Sequence, residues 1–226
     1  MAREELIKEL VISADGSHTI KVPDIKEHYH SHKGAVQESE HVFIRMGLNA
    51  LGKSANVSIL EVGFGTGLNA LLTALNMGDR SIHYTGLEPY PLKPELLSQL
   101  NYPEVIGGND TASLFDAIHS VPYNEPQTIK DSFILEKRQC VLQSFDTKVQ
   151  FDLIYYDAFA PHAQPELWYP SIWTQLRGLM KQNALLVTYC AKGQVRRDMQ
   201  SVGLEVDRLP GPPGKREMLR AINRTP

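Results

Sequence analysis

The sequence has few cysteines and no long hydrophobic run. Only Cys140 and Cys190 occur in 226 residues, and without an export signal we expect two buried thiols rather than a disulfide. No stretch approaches 18 consecutive apolar residues, which excludes a membrane-spanning helix. The first ten residues, MAREELIKEL, lack the apolar segment of a signal peptide. These absences predict a cytoplasmic protein that does not enter a membrane.

Internal repeats and low-complexity tracts are also missing, and the composition is that of an ordinary globular protein. The chain is 42% hydrophobic and 22% charged, enough for one α/β domain with an appendage. The net charge of −3 hides an asymmetry, because eight lysines and arginines face four acids from residue 192 onward. That end carries about +4 and the rest about −7. This basic carboxyl-terminal segment is compatible either with binding of an anionic partner such as nucleic acid or with an ordinary solvated surface.

Strand and helix patterns alternate from residue 57 onward. Apolar strand patterns occupy 57–62, 81–88, 139–143, 152–157 and 184–190, and helical patterns occupy 68–78, 92–101, 193–203 and a segment between the last two strands. Residues 204–222 read as a strand, a turn and a returning strand. This alternation predicts a parallel sheet with helices on both faces.

Other segments lie outside this alternation. Residues 9–22 form two apolar runs around an Asp-Gly pair, which predicts a hairpin, and residues 33–51 have near-helical spacing. We therefore predict an amino-terminal extension over 1–52 that packs on a main domain over 53–226. Residues 102–137 interrupt the alternation with a helical segment and irregular sequence, which predicts an insertion that shapes a substrate site or covers a cofactor.

The stretch Leu60–Ala70, LEVGFGTGLNA, places three alternate glycines directly after a predicted strand. Gly63, Gly65 and Gly67 permit a tight turn and a close approach of the backbone to a ligand. Read from Gly65, the pattern G-x-G-x-x-A fits a dinucleotide fingerprint. Read from Glu61, it suits the aminoacyl tail of S-adenosylmethionine, with the carboxylate near the methionine ammonium. The loop alone leaves both cofactors open.

Two acids end predicted strands. Glu88 ends the strand pattern 81–88, where a carboxylate accepts the ribose hydroxyls of either cofactor. Asp157 closes the apolar run LIYYD and is therefore expected at the carboxyl edge of the sheet, where ligands of such folds bind.

Four stretches together resemble one family. They are LEVGFGTGLNALL, HYHSHKGAVQESEHVFI (28–44), YYDAFAPHAQPELW (155–168) and KGQVRRDMQSVGLEVDRLPGPPGKREML (192–219). The chain resembles, over roughly residues 10–222, the methyltransferase half of the bifunctional bacterial enzyme that completes 5-methylaminomethyl-2-thiouridine at the tRNA wobble position. The resemblance implies a class I S-adenosylmethionine-dependent methyltransferase fold, Rossmann-like, and conversion of 5-aminomethyluridine in the tRNA anticodon arm to 5-methylaminomethyluridine.

The same resemblance implies site residues. Those implied to bind the cofactor are Glu61, Gly63, Gly65, Gly67, Asn69 and Glu88. The family's strand-end acid corresponds to Asp157, its helix-entry aromatic to Trp168, its amino-terminal substrate side to Tyr29 and Glu38, and its basic ending to Lys215 and Arg216.

The sequence departs from the family at two points. Ala158 follows Asp157, where the family more often has glycine. The chain stops at Pro226, so we expect it to lack the family's flavin-dependent oxidase, with a separate oxidase as a possible partner. The oligomeric state stays open.

The chemistry of methyl transfer to an amine explains why an acid is needed. The nucleophile must lie in line with the methyl carbon at about 3–3.5 Å, and a primary amine is mostly protonated at neutral pH. An acceptor must therefore orient the amine or take its proton. We predict Asp157 as this residue, with both roles open.

Further residues are expected on the substrate side. Tyr29 and Trp168 would stack on a base at about 1–3 kcal/mol each, and Phe159 would line the pocket wall, although core packing suits all three. The cations expected at tRNA phosphates are Lys192, Arg196, Arg197, Lys215 and Arg216. They also suit an ordinary surface, and Lys215 suits a position over the cofactor carboxylate.

No metal site is predicted. His28, His30 and His32 alternate, but no cysteine is near and methyl transfer needs no metal. Two other functions stay open: an NAD-dependent oxidoreductase, which lacks a Tyr-x-x-x-Lys relay here, and a catalytically silent RNA-binding relative.

Overall fold

A computed structural model describes residues 6–224. The amino-terminal elements are β1 (Glu9–Ile12), β2 (His18–Val22), β3 (Glu27–His28) and α1 (Ala35–Ser39). The later strands are β4 (Asn56–Val62), β5 (Ser81–Leu87), β6 (Gln127–Lys130), β7 (Phe133–Arg138), β8 (Phe151–Tyr156), β9 (Met180–Thr188), β10 (Glu205–Pro210) and β11 (Glu217–Ile222). The later helices are α2 (Leu68–Asn76), α3 (Pro94–Leu97), α4 (Tyr102–Ile106), α5 (Thr111–Ser120), α6 (Pro170–Leu179) and α7 (Gly193–Ser201).

The central sheet has eight strands in the order β10-β11-β9-β8-β4-β5-β7-β6. The five strands from β9 to β7 run parallel, whereas β11 and β6 are antiparallel to their neighbours. The predicted parallel sheet is therefore confirmed. Because the chain leaves β4 towards β5 and later returns to β8 on its other side, the switch point between β4 and β8 is where ligands of such sheets bind.

Both faces of the sheet are covered, which explains the continuous apolar sequence of its central strands. In β4, Ile59 packs with α2 and α5 on one face, and Leu60 packs with α6 and α7 on the other. In β8, Tyr155 lies on the face covered by α2 and α5, and Tyr156 lies on the face covered by α6 and α7. Both are fully buried.

The amino-terminal extension forms a three-stranded antiparallel sheet, β1-β2-β3, followed by helical turns. The predicted hairpin is confirmed. The predicted helix over 33–51 is broken into α1, a π-helical segment at Glu40–Arg45 and a 3-10 turn at Leu48–Leu51. Ile20 and Phe43 lie in the same apolar cluster as α2, so the extension shares a core with the central sheet.

Three sequence predictions were wrong in detail. Residues 139–143 are not a strand, because the strand is β7, which ends at Arg138. Its sequence FILEKR alternates buried and more exposed side chains. It therefore lacks the continuous apolar run by which the other buried strands were predicted. The predicted insertion over 102–137 therefore includes β6 and nearly all of β7, two strands of the central sheet. Only four residues of the predicted helix 92–101 form a helix, α3, which begins at Pro94.

Within residues 6–224, no helix is long and apolar enough to cross a membrane. Cys140 is half-buried and Cys190 is buried, and both are free thiols. The same residues contain no group of three His, Cys, Asp or Glu side chains arranged to hold a metal ion.

Candidate active site

The glycine loop brings the end of β4 against the end of β8. Gly63 has φ +92°, and a Cβ atom at this position would lie 2.5 Å from the carbonyl oxygen of Asp157. Gly65 has φ +49°, and a Cβ atom there would lie 3.0 Å from the ring of Tyr29. The loop thus needs glycine both for its left-handed backbone and for these close approaches.

A buried polar network lies behind this loop. Glu61 is fully buried, and its two carboxylate oxygens accept hydrogen bonds from Nδ2 of Asn69 and the hydroxyl of Tyr84, each at 2.8 Å. Burial raises the pKa of Glu61 well above its usual value. Nδ2 of Asn69 also donates to Oδ2 of Asp157 at 2.9 Å. Asn69 therefore links the strand-end carboxylates, and Glu61 acts on the site through it.

A first cleft, the donor cleft, opens at the carboxyl ends of β4, β5, β7 and β8. It is lined by Val62, Gly63, Gly65, the segment 87–90, the segment 140–143 and the segment 157–159, among others. Glu88 accepts hydrogen bonds from the backbone N–H groups of Gly65 and Tyr90, each at 2.9 Å. Burial raises the pKa of its carboxyl.

Part of the donor cleft was missed from the sequence. Cys140, Val141 and Leu142 line it, although their segment was predicted as a strand. The signal that identifies them is position: they directly follow a parallel strand, β7, and so reach the carboxyl edge of the sheet.

A second cleft, the acceptor cleft, lies beside the donor cleft. It is lined by residues 27–33, Glu38, the segment 157–159, Tyr189, Gly214 and Lys215. Nζ of Lys215 lies 2.6 Å from Oε1 of Glu38 and 4.0 Å from the centre of the Tyr189 ring. The backbone N–H of Ser31 donates to Oε2 of Glu38 at 2.8 Å. This ion pair fastens the β10–β11 turn to the amino-terminal extension.

The two clefts share one wall, formed by Tyr29, His30, Asp157, Ala158 and Phe159. The side chain of Asp157 is only 7% exposed. Burial, and next the negative charge of Glu38, raise the pKa of Asp157 to about 7, against a hydrogen bond from Asn69 and the charge of Lys215, which lower it. Asp157 can therefore hold or release a proton near neutral pH.

The predicted aromatic residues differ in their placement. Tyr29 and Phe159 meet edge to face at 5.2 Å and line both clefts. Trp168 does not stack at a site, because it is 5% exposed and packs against Tyr156 and Trp173 in the core. Its Nε1 donates to the carbonyl oxygen of Phe159 at 2.8 Å. The expectation that Trp168 stacks on a base is wrong. The hydrogen bond from its indole instead holds the backbone of Phe159, two residues after Asp157.

The predicted cations separate into two groups. Lys215 is engaged with Glu38 and lines the acceptor cleft, so the expectation that it contacts phosphate is not supported by its contacts. Lys192, Arg197 and Arg216 are exposed, and Arg196 is half-buried. These four lie outside the lining of both clefts.

The donor cleft suits a cationic cofactor. Its glycine backbone leaves space where any Cβ atom would clash, and Glu88 offers carboxylate oxygens for a ribose. Oδ1 of Asn69, in the network behind the loop and outside the lining of the cleft, is buried without a hydrogen-bond partner among the described residues. Among the described residues, the acidic side chains that line this cleft are Glu88, Asp157 and Glu166, and the basic ones are Lys8 and the neutral His30. The excess of carboxylates favours the sulfonium and ammonium of S-adenosylmethionine over the pyrophosphate of NAD.

Comparisons with known sequences agree with this chemistry. Residues 114–224 match a family described as S-adenosyl-L-methionine-dependent methyltransferase. The tRNA 5-methylaminomethyl-2-thiouridine biosynthesis bifunctional protein MnmC of Campylobacter hominis is 30% identical over 207 residues, which cover 88% of this chain and 30% of that protein. MnmC of Cupriavidus metallidurans is 31% identical over 228 residues, which cover 93% and 33%. The chain spans about a third of the length of these relatives.

Solved structures show the same fold. MNMC2 from Aquifex aeolicus superposes with a TM-score of 0.78 at 23% identity, covering 99% of this chain and 72% of that one. DesVI of Streptomyces venezuelae superposes with a TM-score of 0.50 at 11% identity, covering 83% and 91%. The predicted fold and cofactor are confirmed, and the NAD alternative is disfavoured. The chain therefore has the fold of the class I S-adenosylmethionine-dependent methyltransferases, and its sequence is similar to such enzymes over residues 114–224 and to the MnmC proteins over most of its length.

Proposed function

We propose that this protein methylates the primary amine of 5-aminomethyluridine, with or without sulfur at position 2, at the wobble position of tRNA. The product would be 5-methylaminomethyluridine or its 2-thio form. The names of the related MnmC proteins, which state a role in 5-methylaminomethyl-2-thiouridine biosynthesis, support this substrate. The carboxylates of Glu38 and Asp157 in the acceptor cleft support an amine as the group that receives the methyl.

The observation that carries the proposal is the wall shared by the two clefts. Methyl transfer requires donor and acceptor to approach in line at about 3–3.5 Å. Asp157 and Phe159 face both clefts, so molecules bound on the two sides would meet beside Asp157. This geometry supplies proximity and orientation, the main requirement of such a displacement.

The charges of the acceptor cleft suit a protonated amine that must lose its proton. Glu38 and Asp157 attract an ammonium group, and Asp157, with a pKa of about 7, is ready to accept a proton near neutral pH. The glycine loop and Glu88 would hold S-adenosylmethionine, which would supply a methyl group on sulfur for transfer to the amine nitrogen. The side chain of Asp157 orients the nitrogen lone pair and carries the proton away.

The exposed cations support a tRNA substrate. Arg216 directly follows Lys215, which lines the acceptor cleft, and Lys192 precedes α7 after β9. Cations near a cleft that receives one nucleotide would bind the flanking phosphates of the anticodon arm. Such a substrate locates the protein in the cytoplasm, and an upstream reaction must leave a primary amine on the uridine.

The test is methyl transfer from labelled S-adenosylmethionine to two tRNA preparations, one with 5-aminomethyluridine and one with unmodified wobble uridine. Label should enter only the first, and mass spectrometry should find 5-methylaminomethyluridine. Asp157→Asn should lower the rate about 10²–10⁴-fold, and because Asp157 lines both clefts, calorimetry should measure its smaller effect on the affinity for the cofactor separately.

The matched control is Asp146→Asn, an exposed carboxylate on the loop before β8, which should keep the wild-type rate. Equal labelling of both tRNA preparations, or none with either, would refute the proposed substrate.

A further inference from the structure

A buried histidine lies beside Asp157 in a network that the proposed mechanism has not used. Nε2 of His30 is 2.8 Å from Oγ1 of Thr66, and the hydroxyl of Tyr102 donates to the same Oγ1 at 3.2 Å. Nδ1 of His30 faces Oδ2 of Asp157 at 4.0 Å. Thr66 belongs to the glycine loop and His30 to the amino-terminal extension, so the network joins the two parts of the site.

The hydrogen bonds are compatible with a tautomer of His30 that serves Asp157. Thr66 accepts from Tyr102 and can donate its own hydroxyl hydrogen to Nε2 of His30. In that tautomer the ring proton lies on Nδ1, on the side of Asp157. Burial lowers the pKa of His30 to about 4, so the ring is a neutral donor at neutral pH and not a cation.

We propose that His30 is a positioning residue for Asp157 in the methyl transfer proposed above, on which this inference rests. Its Nδ1–H and the Nδ2 group of Asn69 both address Oδ2, so that Oδ1 is left for the substrate amine. The distance of 4.0 Å exceeds a direct hydrogen bond, so the proposal requires His30 to act on Asp157 through one water or after a small rotation of its ring. Within residues 6–224, Oδ1 of Asp157 accepts no hydrogen bond, whereas Oδ2 accepts one from Asn69.

The effect of His30 must be separated from the other groups around Asp157. The charged groups that shift the pKa of Asp157 are Glu38 and Lys215, and those that shift the pKa of His30 are Glu38 and Asp15. Asp157 in turn raises the pKa of its buried neighbours Glu61, Tyr84, Tyr102 and Tyr189. Substitution of His30 alone leaves all of them in place. Loss of a neutral donor to the carboxylate raises the pKa of Asp157, so the acid limb of kcat/KM should move to higher pH.

Three variants distinguish a donor from a space-filling ring. His30→Asn keeps an N–H group near the position of Nδ1, His30→Gln keeps only the contact with Thr66, and His30→Phe keeps neither. The acid limb should move up by about one pH unit in the Gln and Phe variants and stay near wild type in the Asn variant. Equal shifts in all three variants, or no shift in any, would overturn the proposal.

A matched control and a second readout keep the inference distinct from the proposed substrate. Tyr102→Phe removes one buried hydroxyl but leaves the bond from Thr66 to His30, so its acid limb should remain that of the wild type. Nitrogen NMR of labelled histidine should find the proton of His30 on Nδ1 at pH 7, with or without any activity on tRNA. A proton on Nε2, or a charged ring, would refute the assignment, whereas an inactive wild type with the proton on Nδ1 would refute only the substrate.

Discussion

The donor cleft and the acceptor cleft are built in different ways. The residues that shape the glycine side of the donor cleft, from Glu61 to Asn69, are consecutive in one strand, loop and helix. The acceptor cleft depends on Glu38 and Lys215, which lie 177 positions apart and meet at 2.6 Å. The first cleft is shaped by local backbone geometry and the second by a long-range ion pair. Substitutions should therefore affect cofactor binding and substrate binding separately, except at the shared wall.

The strongest way to break the donor cleft is Gly63→Ala. Its Cβ atom would lie 2.5 Å from the backbone of Asp157 at φ +92°, so the loop must move. We expect the affinity for S-adenosylmethionine, measured by calorimetry, to fall more than about 100-fold, and the free energy of unfolding to fall by about 2–4 kcal/mol.

The control for this change is Gly78→Ala, at φ +59° with no atom within 4 Å of the added carbon. It shares the left-handed strain without the clash, so it should cost about 1 kcal/mol and keep the cofactor affinity. If both variants lost cofactor binding equally, the close approach of Gly63 to Asp157 would not be the cause.

The buried carboxylate of Asp157 in the shared wall should lower the stability of the folded protein. Because the pKa of Asp157 rises from 3.8 to about 7 on folding, the folded protein prefers the protonated carboxyl, and stability is lost as pH rises from about 4 to about 7. Asp157→Asn should therefore be more stable than wild type by about 2–4 kcal/mol at pH 8 and about equal to it at pH 4. Urea unfolding at the two pH values measures this. If Asp157→Asn were less stable than wild type at pH 8, the inference that the buried charge of Asp157 destabilises the fold would be wrong.

The acceptor cleft can be tested by opposite charge changes. Glu38 raises the pKa of Asp157 and Lys215 lowers it, so Glu38→Gln should move the acid limb of kcat/KM to lower pH and Lys215→Met should move it to higher pH, each by about half a unit to one unit. Both variants should keep cofactor affinity within about twofold. Shifts in the same direction, or an equal loss of cofactor and tRNA affinity, would show that the two clefts are not independent.

The smallest effects are expected from the exposed cations. Arg216→Ala and Lys192→Ala should each weaken tRNA binding a few-fold and reduce the salt dependence of binding, the slope of log K against log salt, by about one. Lys53→Ala is the control, because this exposed lysine precedes β4 at the opposite edge of the sheet. If Lys53→Ala reduced the salt dependence as much as Arg216→Ala does, tRNA would not approach the edge of the sheet at which Arg216 lies.

Elements with a sequence pattern of their own were predicted correctly. Elements that are stabilised by contacts with distant segments of the chain were missed. Strands β4, β5 and β8 were identified because both of their faces are apolar. Strand β7 was missed because its second face carries charged residues, although hydrogen bonds to β5 and the burial of Phe133 and Leu135 stabilise it. Trp168 was assigned to the site because a sequence does not tell which face of a turn packs into the core.

The amino-acid sequence by itself determined the glycine loop, the acids at the strand ends and the alternation that forms the sheet. Each depends on steric and hydrophobic rules that act within a few residues. Only the tertiary structure decided that Glu38 meets Lys215, that His30 lies beside Asp157 and that both clefts share one wall. These contacts join segments far apart in the chain, and their energies depend on burial and charge at positions that exist only after the core has packed.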